Sequence, residues 1–146
     1  MGKLLSEEGM FMFTVLLTIV MTGVNAPGVV SDSTDYASAY QSAQEKNQPL
    51  VVVVGAEWCP ACVNLKQTTI ASMEASGELQ EVSLAVVDQD AQPDLARQIK
   101  QGEMIPQIVV FHKTQNGWRR SQLTGFQSAG PIRSLIRKTA AKIGRS

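Results

Sequence analysis

The sequence predicts an α/β fold, with one central mixed sheet of about four strands flanked by helices on both faces. The apolar, largely β-branched run from Leu50 to Val54 is typical of a central strand that is buried on both sides. Stretches with helical and with strand periodicity alternate along the chain, and Asn116-Gly117 then marks a hairpin turn. The 146 residues, of which 44% are hydrophobic, suffice for one domain with its own core but not for two ordinary ones.

The predicted elements follow in the order helix, strand, helix, strand, helix, hairpin and helix. Tyrosine and alanine residues recur at helical spacing from Asp35 to Lys46, and Asn47 and Pro49 end this helix. After the central strand we expect a helix that Gly77 ends, a strand over 82–87, a short helix over 93–101, hairpin strands over 107–112 and 118–124, and an amphipathic helix marked by Ile132, Leu135, Ile136 and Ile143. The helical crossovers predict parallel strand pairs, to which the hairpin adds antiparallel ones.

An uncharged apolar segment covers residues 10–24. Its 15 residues are fewer than the roughly 20 of a membrane-spanning helix and match the core of a signal peptide. We therefore predict an export signal over 1–26, although Pro27 after the cleavage position and two early glutamates fit this interpretation less well. The main alternative is an uncleaved membrane anchor. Either interpretation places a linker at 27–34 and a domain at 35–146 outside the cytoplasm, in the periplasm or cell envelope.

The charges balance overall but are unevenly distributed along the chain. The formal net charge is zero, so no strong field favours nucleic acid as a partner. All 13 acidic residues lie at or before Glu103. The bases beyond that point are Lys113, Arg119, Arg120, Arg133, Arg137, Lys138, Lys142 and Arg145. We interpret them as a solvated face, and the alternative is a basic docking face for an acidic partner or anionic lipid headgroups.

Cys59 and Cys62, the only cysteines of the chain, form a CxxC motif after the predicted central strand. A structural zinc site needs four ligands, and this motif with the single histidine does not supply them, so neither a metal nor a cofactor is expected. A disulfide across so short a loop removes little entropy from the unfolded chain and is a poor structural staple. A CxxC motif within a βαβ pattern therefore favours redox chemistry.

The position of the motif at a helix start favours reactive thiols. Cys59 is predicted to cap the helix, with Pro60 at its first position, where unpaired amides and the helix dipole stabilise a thiolate. Cys62 lies one turn further on, within reach of Cys59. We expect Cys59 to be the more exposed nucleophile and Cys62 to be the shielded residue that resolves a mixed disulfide.

Two segments carry a resemblance to the thioredoxin family. Residues 56–62, AEWCPAC, resemble its active site, and residues 104–111, MIPQIVVF, resemble its cis-proline segment. The order of elements is also similar from Asp35 to Ile143, which implies a thioredoxin-like fold. The resemblance implies that Cys59 and Cys62 are catalytic and that the client is bound by Trp58, Pro60, Ala61, Ile105 and Pro106.

The resemblance also implies roles for particular backbone and side-chain groups. A cis peptide bond before Pro106 exposes the backbone of Ile105 to an extended client peptide. Trp58 packs beside the sulfurs. The dipeptide Pro60-Ala61 departs from the Gly-Pro of thioredoxin and is closer to glutaredoxins and to some exported disulfide-exchange proteins.

Charged groups of the family are missing from this sequence. The family's buried aspartate, which helps to deprotonate the second cysteine, falls on Val53, and its lysine partner falls near Leu84 or Ala85. Proton transfer at Cys62 must therefore use water or another group. Glu57 is the nearest carboxylate in sequence, and we interpret it as an exposed surface acid.

Four further positions carry weaker functional signals. A tryptophan that is common in the family falls on Gly55. His112 ends the third strand and is expected to lie on the surface, with a proton shuttle as the alternative. Asp88 and Asp90 are expected to terminate the second strand.

These observations predict a thiol–disulfide oxidoreductase that acts on protein disulfide or dithiol clients. Ile105 before the proline resembles reducing thioredoxins and favours a reductase, regenerated by an electron donor at the membrane, whereas Pro60 favours the opposite direction. The alternative is an adaptor without turnover, with a redox-regulated CxxC and the basic docking face. Delivery of copper or zinc is a third, weaker interpretation.

Overall fold

Residues 35–143 are the part of the chain that the structure, a computed structural model, describes. The predicted export signal or anchor and the linker lie outside the described residues. The elements are helix α1 (Tyr36–Glu45), strand β1 (Leu50–Gly55), helix α2 (Pro60–Asn64), a π-helical segment (Leu65–Ile70), helix α3 (Ala71–Ala75), strand β2 (Ser83–Asp88), helix α4 (Pro93–Ile99), strands β3 (Gln107–Thr114) and β4 (Gly117–Thr124), and helix α5 (Ala129–Ile143). None of these helices combines the length and the apolar character that crossing a membrane requires.

The four strands form one mixed sheet in the order β2-β1-β3-β4, which confirms the predicted architecture. β1 pairs in parallel with β2, from Leu50 beside Ser83 to Gly55 beside Asp88. The other two pairings, β1 with β3 and β3 with β4, are antiparallel. At the hairpin, Gly117 has a φ of 96°, a conformation that glycine adopts without strain. β1 is therefore a central strand whose end leads directly into the cysteines.

Both faces of the sheet are covered by helices, and the alternation of side chains along β1 separates two cores. Val52 and Val54 belong to the core that α1 and α4 cover. Val51 and Val53 belong to the other core, together with Leu65 from the helix after the cysteines and with residues of α5. All of β1 is buried, as its β-branched sequence predicts.

The helix after the cysteines differs from the prediction in one respect. α2, the π-helical segment and α3 follow one another without a break, but the helix widens over Leu65–Ile70. The Thr68 hydroxyl donates a hydrogen bond to the Asn64 carbonyl at 2.7 Å, and such side-chain bonds compete with the regular backbone ladder. Gly77, with a φ of 78°, lies just beyond the end of this helix, as predicted.

His112 is not on the surface, and this corrects the prediction. Its side chain is 2% exposed, and its Nδ1 has no hydrogen-bond partner within residues 35–143. The alternation of β3 puts His112 on the same face as Ile108 and Val110, which α5 covers, so a position that ends an apolar run is nevertheless buried. The register pairs Phe111 with Leu50 at the beginning of β1, whereas the cysteines follow the end of β1. His112 therefore lies at the far end of the sheet from the CxxC motif.

Burial of His112 predicts how stability depends on pH. Burial, followed by the charges of Lys142 and Arg119, holds the pKa of His112 below its ordinary value of about 6.5. The unfolded chain therefore takes up a proton as the pH falls below about 6.5, whereas the folded protein resists it. The stability that the neutral imidazole contributes is fully present above this pH and is lost progressively as the pH falls below it. We expect urea titrations to show the unfolding free energy falling by up to about 1.4 kcal/mol per pH unit below about pH 6.5.

His112 is the only histidine, so the control is direct. The variant His112→Leu is expected to flatten the pH dependence in this window. An equal slope in the natural protein and the variant would show that another group is responsible.

Candidate active site

The end of β1 delivers both cysteines to a helix start. Cys59 is the N-cap of α2, and Pro60 occupies its first turn, as predicted. The Cys59 sulfur accepts a hydrogen bond from the backbone N–H of Cys62 at 3.2 Å. The two residues form a disulfide, with their Cα atoms 5.2 Å apart. A spacing of one helical turn thus suits a closed pair.

The two sulfurs differ in their access to solvent. Cys59 is 6% exposed and Cys62 is 1% exposed, so Cys59 is the more accessible of the two, although both are largely covered. Ala61 and Ile105 pack against them. A Cβ atom added at Gly55 would lie 2.9 Å from the Cβ of Cys62 and 3.1 Å from its sulfur. Gly55 therefore lets the helix approach β1 closely, and a large side chain would displace Cys62.

Trp58 lies at the surface next to the motif and is 67% exposed. Its indole N–H donates a hydrogen bond to the Asp90 carboxylate at 2.6 Å. Asp90 is held in turn, because its backbone N–H donates to the Asp88 carboxylate at 2.8 Å. The same Asp88 oxygen accepts from the Ala91 N–H at 3.0 Å. Sequence reasoning identified the two aspartates as residues that end a strand and missed their support of the indole.

The loop before β3 reaches the cysteines from another direction. The peptide bond between Ile105 and Pro106 is cis. Ile105 packs against the cysteine cluster, and no hydrogen bond within residues 35–143 uses its backbone. Pro106 is buried, and its carbonyl accepts a hydrogen bond from the Gly125 N–H at 2.8 Å. The backbone of Ile105 is thus left without a partner next to the disulfide.

Gln107 holds this loop in place, and sequence reasoning missed it. Its side chain is fully buried. Oε1 accepts a hydrogen bond from the Gln101 N–H at 3.0 Å, and Nε2 donates to the carbonyls of Gln101 and Met104, both at 2.9 Å. One amide therefore satisfies three backbone groups of the loop. The polar residue within the apolar stretch 104–111 is the signal that could have identified it.

The charged pair that the resemblance implies behind Cys62 is absent. Val53 is buried and lies beside Val86 in the register of β1 and β2. Leu84 and Ala85, where the resemblance places the lysine partner, are uncharged and lie on the same strand, β2. Val86 is also uncharged, so an apolar pair occupies this place.

The remaining predicted residues surround the motif. Pro60 and Glu57 are exposed, and Ala61 is half-buried. Within the described part of the chain, no group of three or more His, Cys, Asp or Glu side chains is arranged to hold a metal ion.

Comparisons with known proteins agree with this geometry. The model of a family described as Thioredoxin-like matches residues 32–113, more than half of the chain. A thioredoxin from Thermus thermophilus is similar in structure, with 22% identity over 75% of this chain and 86% of its own and a TM-score of 0.63. Trichomonas vaginalis thioredoxin is 20% identical over 73% and 92% of the two chains, with a TM-score of 0.56. For Fasciola hepatica thioredoxin the identity is 21% over 70% and 92%, with a TM-score of 0.54. No curated protein matches the chain.

Proposed function

The chain belongs to the thioredoxin-like family and is a thiol–disulfide oxidoreductase, and we propose that it reduces disulfides of protein clients outside the cytoplasm. Cys59 is the proposed nucleophile, and Cys62 is the proposed resolving residue. The observation that carries the proposal is the Cys59–Cys62 disulfide at a helix start, with the unpartnered backbone of Ile105 packed next to it. The sulfur pair and the backbone that we propose binds the client therefore lie next to each other.

The reaction proceeds by two exchanges. The Cys59 thiolate attacks one sulfur of the client disulfide, and the other client sulfur leaves with the electron pair and takes a proton. The Cys62 thiolate then attacks the Cys59 sulfur, closes the disulfide and releases the second client thiol. The client gains two electrons, and the cysteine pair ends in the oxidised form. We propose that an electron donor at the membrane reduces the pair again.

Client binding is proposed to combine strand pairing with apolar contacts. An extended peptide can add to the backbone of Ile105 as an extra strand. Three large apolar side chains are exposed at positions that adjoin residues of the site in sequence: Trp58 (67%) precedes Cys59, Met104 (65%) precedes Ile105, and Phe126 (46%) follows Gly125, which bonds to the Pro106 carbonyl. We propose that these side chains contact the client, since exposed apolar patches are typical of interaction sites. Pro60 and Ala61, beside Cys59, and Pro106 complete the proposed client contacts.

The Trp58–Asp90 hydrogen bond predicts a measurable effect on client affinity. Because the bond is exposed, we expect Asp90→Ala to lower the unfolding free energy by less than about 1 kcal/mol. Without its acceptor, the indole loses its fixed orientation, so we expect the KM for insulin to rise about threefold to tenfold with little change in kcat. Steady-state insulin reduction measures both constants.

The matched control for this variant is Asp90→Asn, which keeps an oxygen that accepts from the indole N–H. Its KM should stay close to that of the natural protein. A KM that rises equally in both variants would refute the role of the hydrogen bond.

The direction of the thiol–disulfide exchange and the location of the domain outside the cytoplasm are also proposals. Ile105 before the cis proline, as in reducing thioredoxins, supports the reductase direction, while Pro60 after the first cysteine supports oxidation. The uncharged apolar segment at 10–24 supports export or anchoring at the membrane, and hence a donor there. A membrane-impermeant maleimide added to intact cells should label the reduced cysteines if the domain lies outside the cytoplasm. Labelling only after lysis would contradict this location.

An adaptor without turnover is the second candidate function. It is favoured by the apolar pair Val53–Val86, which leaves Cys62 without the buried charges that speed proton transfer in the family. The basic residues after Glu103 then supply its docking face for an acidic partner or anionic lipids.

Turnover separates the two functions. The enzyme is expected to reduce insulin with dithiothreitol as donor, or to oxidise a dithiol peptide. If it does neither, and Cys59→Ser changes only the binding of a partner, the adaptor function is correct. The equilibrium of the cysteine pair with glutathione gives the direction, because a potential near about −270 mV indicates a reductase and one near about −120 mV an oxidant.

A further inference from the structure

We propose that Lys66 and Asp88 govern proton transfer at Cys62 through a water-sized cavity behind its sulfur. The proposal rests on the resolving role of Cys62 in the proposed function. It assigns a task to two charged residues in place of the family's charged pair, whose positions fall on Val53 and near Leu84 or Ala85.

The cavity lies between the long helix and the sheet. Its lining includes two helix residues one turn apart, Cys62 and Lys66. It also includes two pairs of the β1–β2 register that lie two positions apart, Val53 with Val86 and Gly55 with Asp88. The cavity volume is about 10 Å³, which is room for about one water molecule. Because Gly55 has no side chain, this space opens between Cys62 and the strand pair that ends in Asp88.

Lys66 and Asp88 are the charged residues that line the cavity. Lys66 is half-buried, and its ammonium group makes no hydrogen bond or ion pair with any residue of 35–143. Asp88 uses its Oδ1 to cap the turn after β2, and its Oδ2 takes no part in that cap. The hydrophobic cluster that contains Cys62 also holds Ala56, Cys59, Ala61 and Ile105. Cys62 thus shares the lining of one small cavity with a cationic and an anionic residue.

This arrangement fits the step in which Cys62 resolves the mixed disulfide. The Cys62 thiol gives its proton to a water in the cavity, which passes a proton to the Asp88 carboxylate, while the Lys66 ammonium stabilises the thiolate. The Cys62 sulfur then bonds to the Cys59 sulfur as the bond from Cys59 to the client breaks. The client sulfur leaves with the electron pair and takes a proton from solvent, and Asp88 returns its proton to solvent.

Two-phase release of thionitrobenzoate tests this step. When the reduced full chain reacts with dithionitrobenzoate, Cys59 releases the first thionitrobenzoate, and attack by Cys62 on the resulting mixed disulfide releases the second. Stopped-flow absorbance across the pH range gives each phase separately. We expect Lys66→Met to move the pH midpoint of the second phase upward by about one unit and to slow this phase about tenfold at pH 7, with the first phase changed much less.

Further variants separate charge from structure. Asp88→Asn retains the Oδ1 that caps the turn but lacks the carboxylate, and we expect it to slow the second phase at least about tenfold. Lys66→Arg retains the cation and should keep the midpoint near that of the natural protein. Lys46→Met and Asp94→Asn make the same charge changes at exposed positions away from the cavity and should leave the second phase unaltered.

The outcomes distinguish this proposal from the function on which it rests. A normal first phase together with an unshifted second phase in both Lys66→Met and Asp88→Asn would overturn the relay and leave the oxidoreductase intact. An equal upward shift in Lys66→Met and Lys66→Arg would overturn the role of the charge. Absence of both phases from the natural protein would refute the proposed function itself, and the relay with it.

Discussion

Replacement of Cys59 by serine is expected to abolish the reduction of protein disulfides, with turnover falling by more than about a thousandfold. The serine hydroxyl is not ionised at neutral pH and does not attack a disulfide as a thiolate does. Cys62→Ser is expected to keep the first attack and to hold the client in a mixed disulfide at Cys59, because no second sulfur remains to release it. Insulin turbidity measures turnover, and non-reducing gels detect the trapped client.

The two serine variants control for each other, since each removes the same disulfide. We expect similar melting temperatures for both, because a bridge between residues three apart constrains the unfolded chain only weakly. Turnover of Cys59→Ser above about one tenth of the natural value would exclude Cys59 as the nucleophile. Equal trapping of client by both variants would show that the assignment of nucleophile and resolving residue is wrong.

Replacement of Gln107 by leucine is expected to lower the unfolding free energy by about 3 kcal/mol. Leucine is similar in size, but at this buried position it removes the partner of three part-buried backbone groups, the N–H of Gln101 and the carbonyls of Gln101 and Met104. The loop that carries Ile105 then loses its fixed conformation, so the KM for insulin should rise about tenfold in the protein that still folds. Urea unfolding and steady-state kinetics measure the two effects.

The control for this variant is Gln127→Leu. The Gln127 side chain makes a single exposed hydrogen bond, to the Thr124 carbonyl at 3.1 Å, so its loss should change stability by less than about 0.5 kcal/mol. Equal losses of stability in the two variants would mean that the amide of Gln107 does not hold the loop.

Much of the fold and the centre of the site could be predicted because the relevant information is local. Five consecutive apolar residues from Leu50 require burial on both faces, and a glycine, a proline and a CxxC motif then mark where the strand ends and the helix begins. Pro60 is the residue type preferred at the first helical position, so the residue before it, Cys59, is predicted as the N-cap. The resemblance added the second segment, around Pro106.

The parts that could not be predicted depend on contacts between distant segments. The register of β1 and β2 decides that Val53 faces Val86, and no local pattern reveals it. His112 is buried because α5 covers one face of β3, although the residue ends an apolar run like many surface residues. Asp90 receives the indole of Trp58 across 32 positions of sequence. Each case requires the tertiary structure to bring two elements together.

The strand order has a consequence for self-association. The sheet ends at β2 on one side and at β4 on the other, and β4 is eight residues long. β4 carries adjacent arginines, and the guanidinium group of Arg120 lies 5.8 Å from the centre of the Phe111 ring on β3. Charged residues on an edge strand oppose pairing with a strand of another molecule. The arginines of β4 thus oppose edge-to-edge pairing of two copies of the protein, which leaves the unpartnered backbone of Ile105 as the place where we propose that a strand is added.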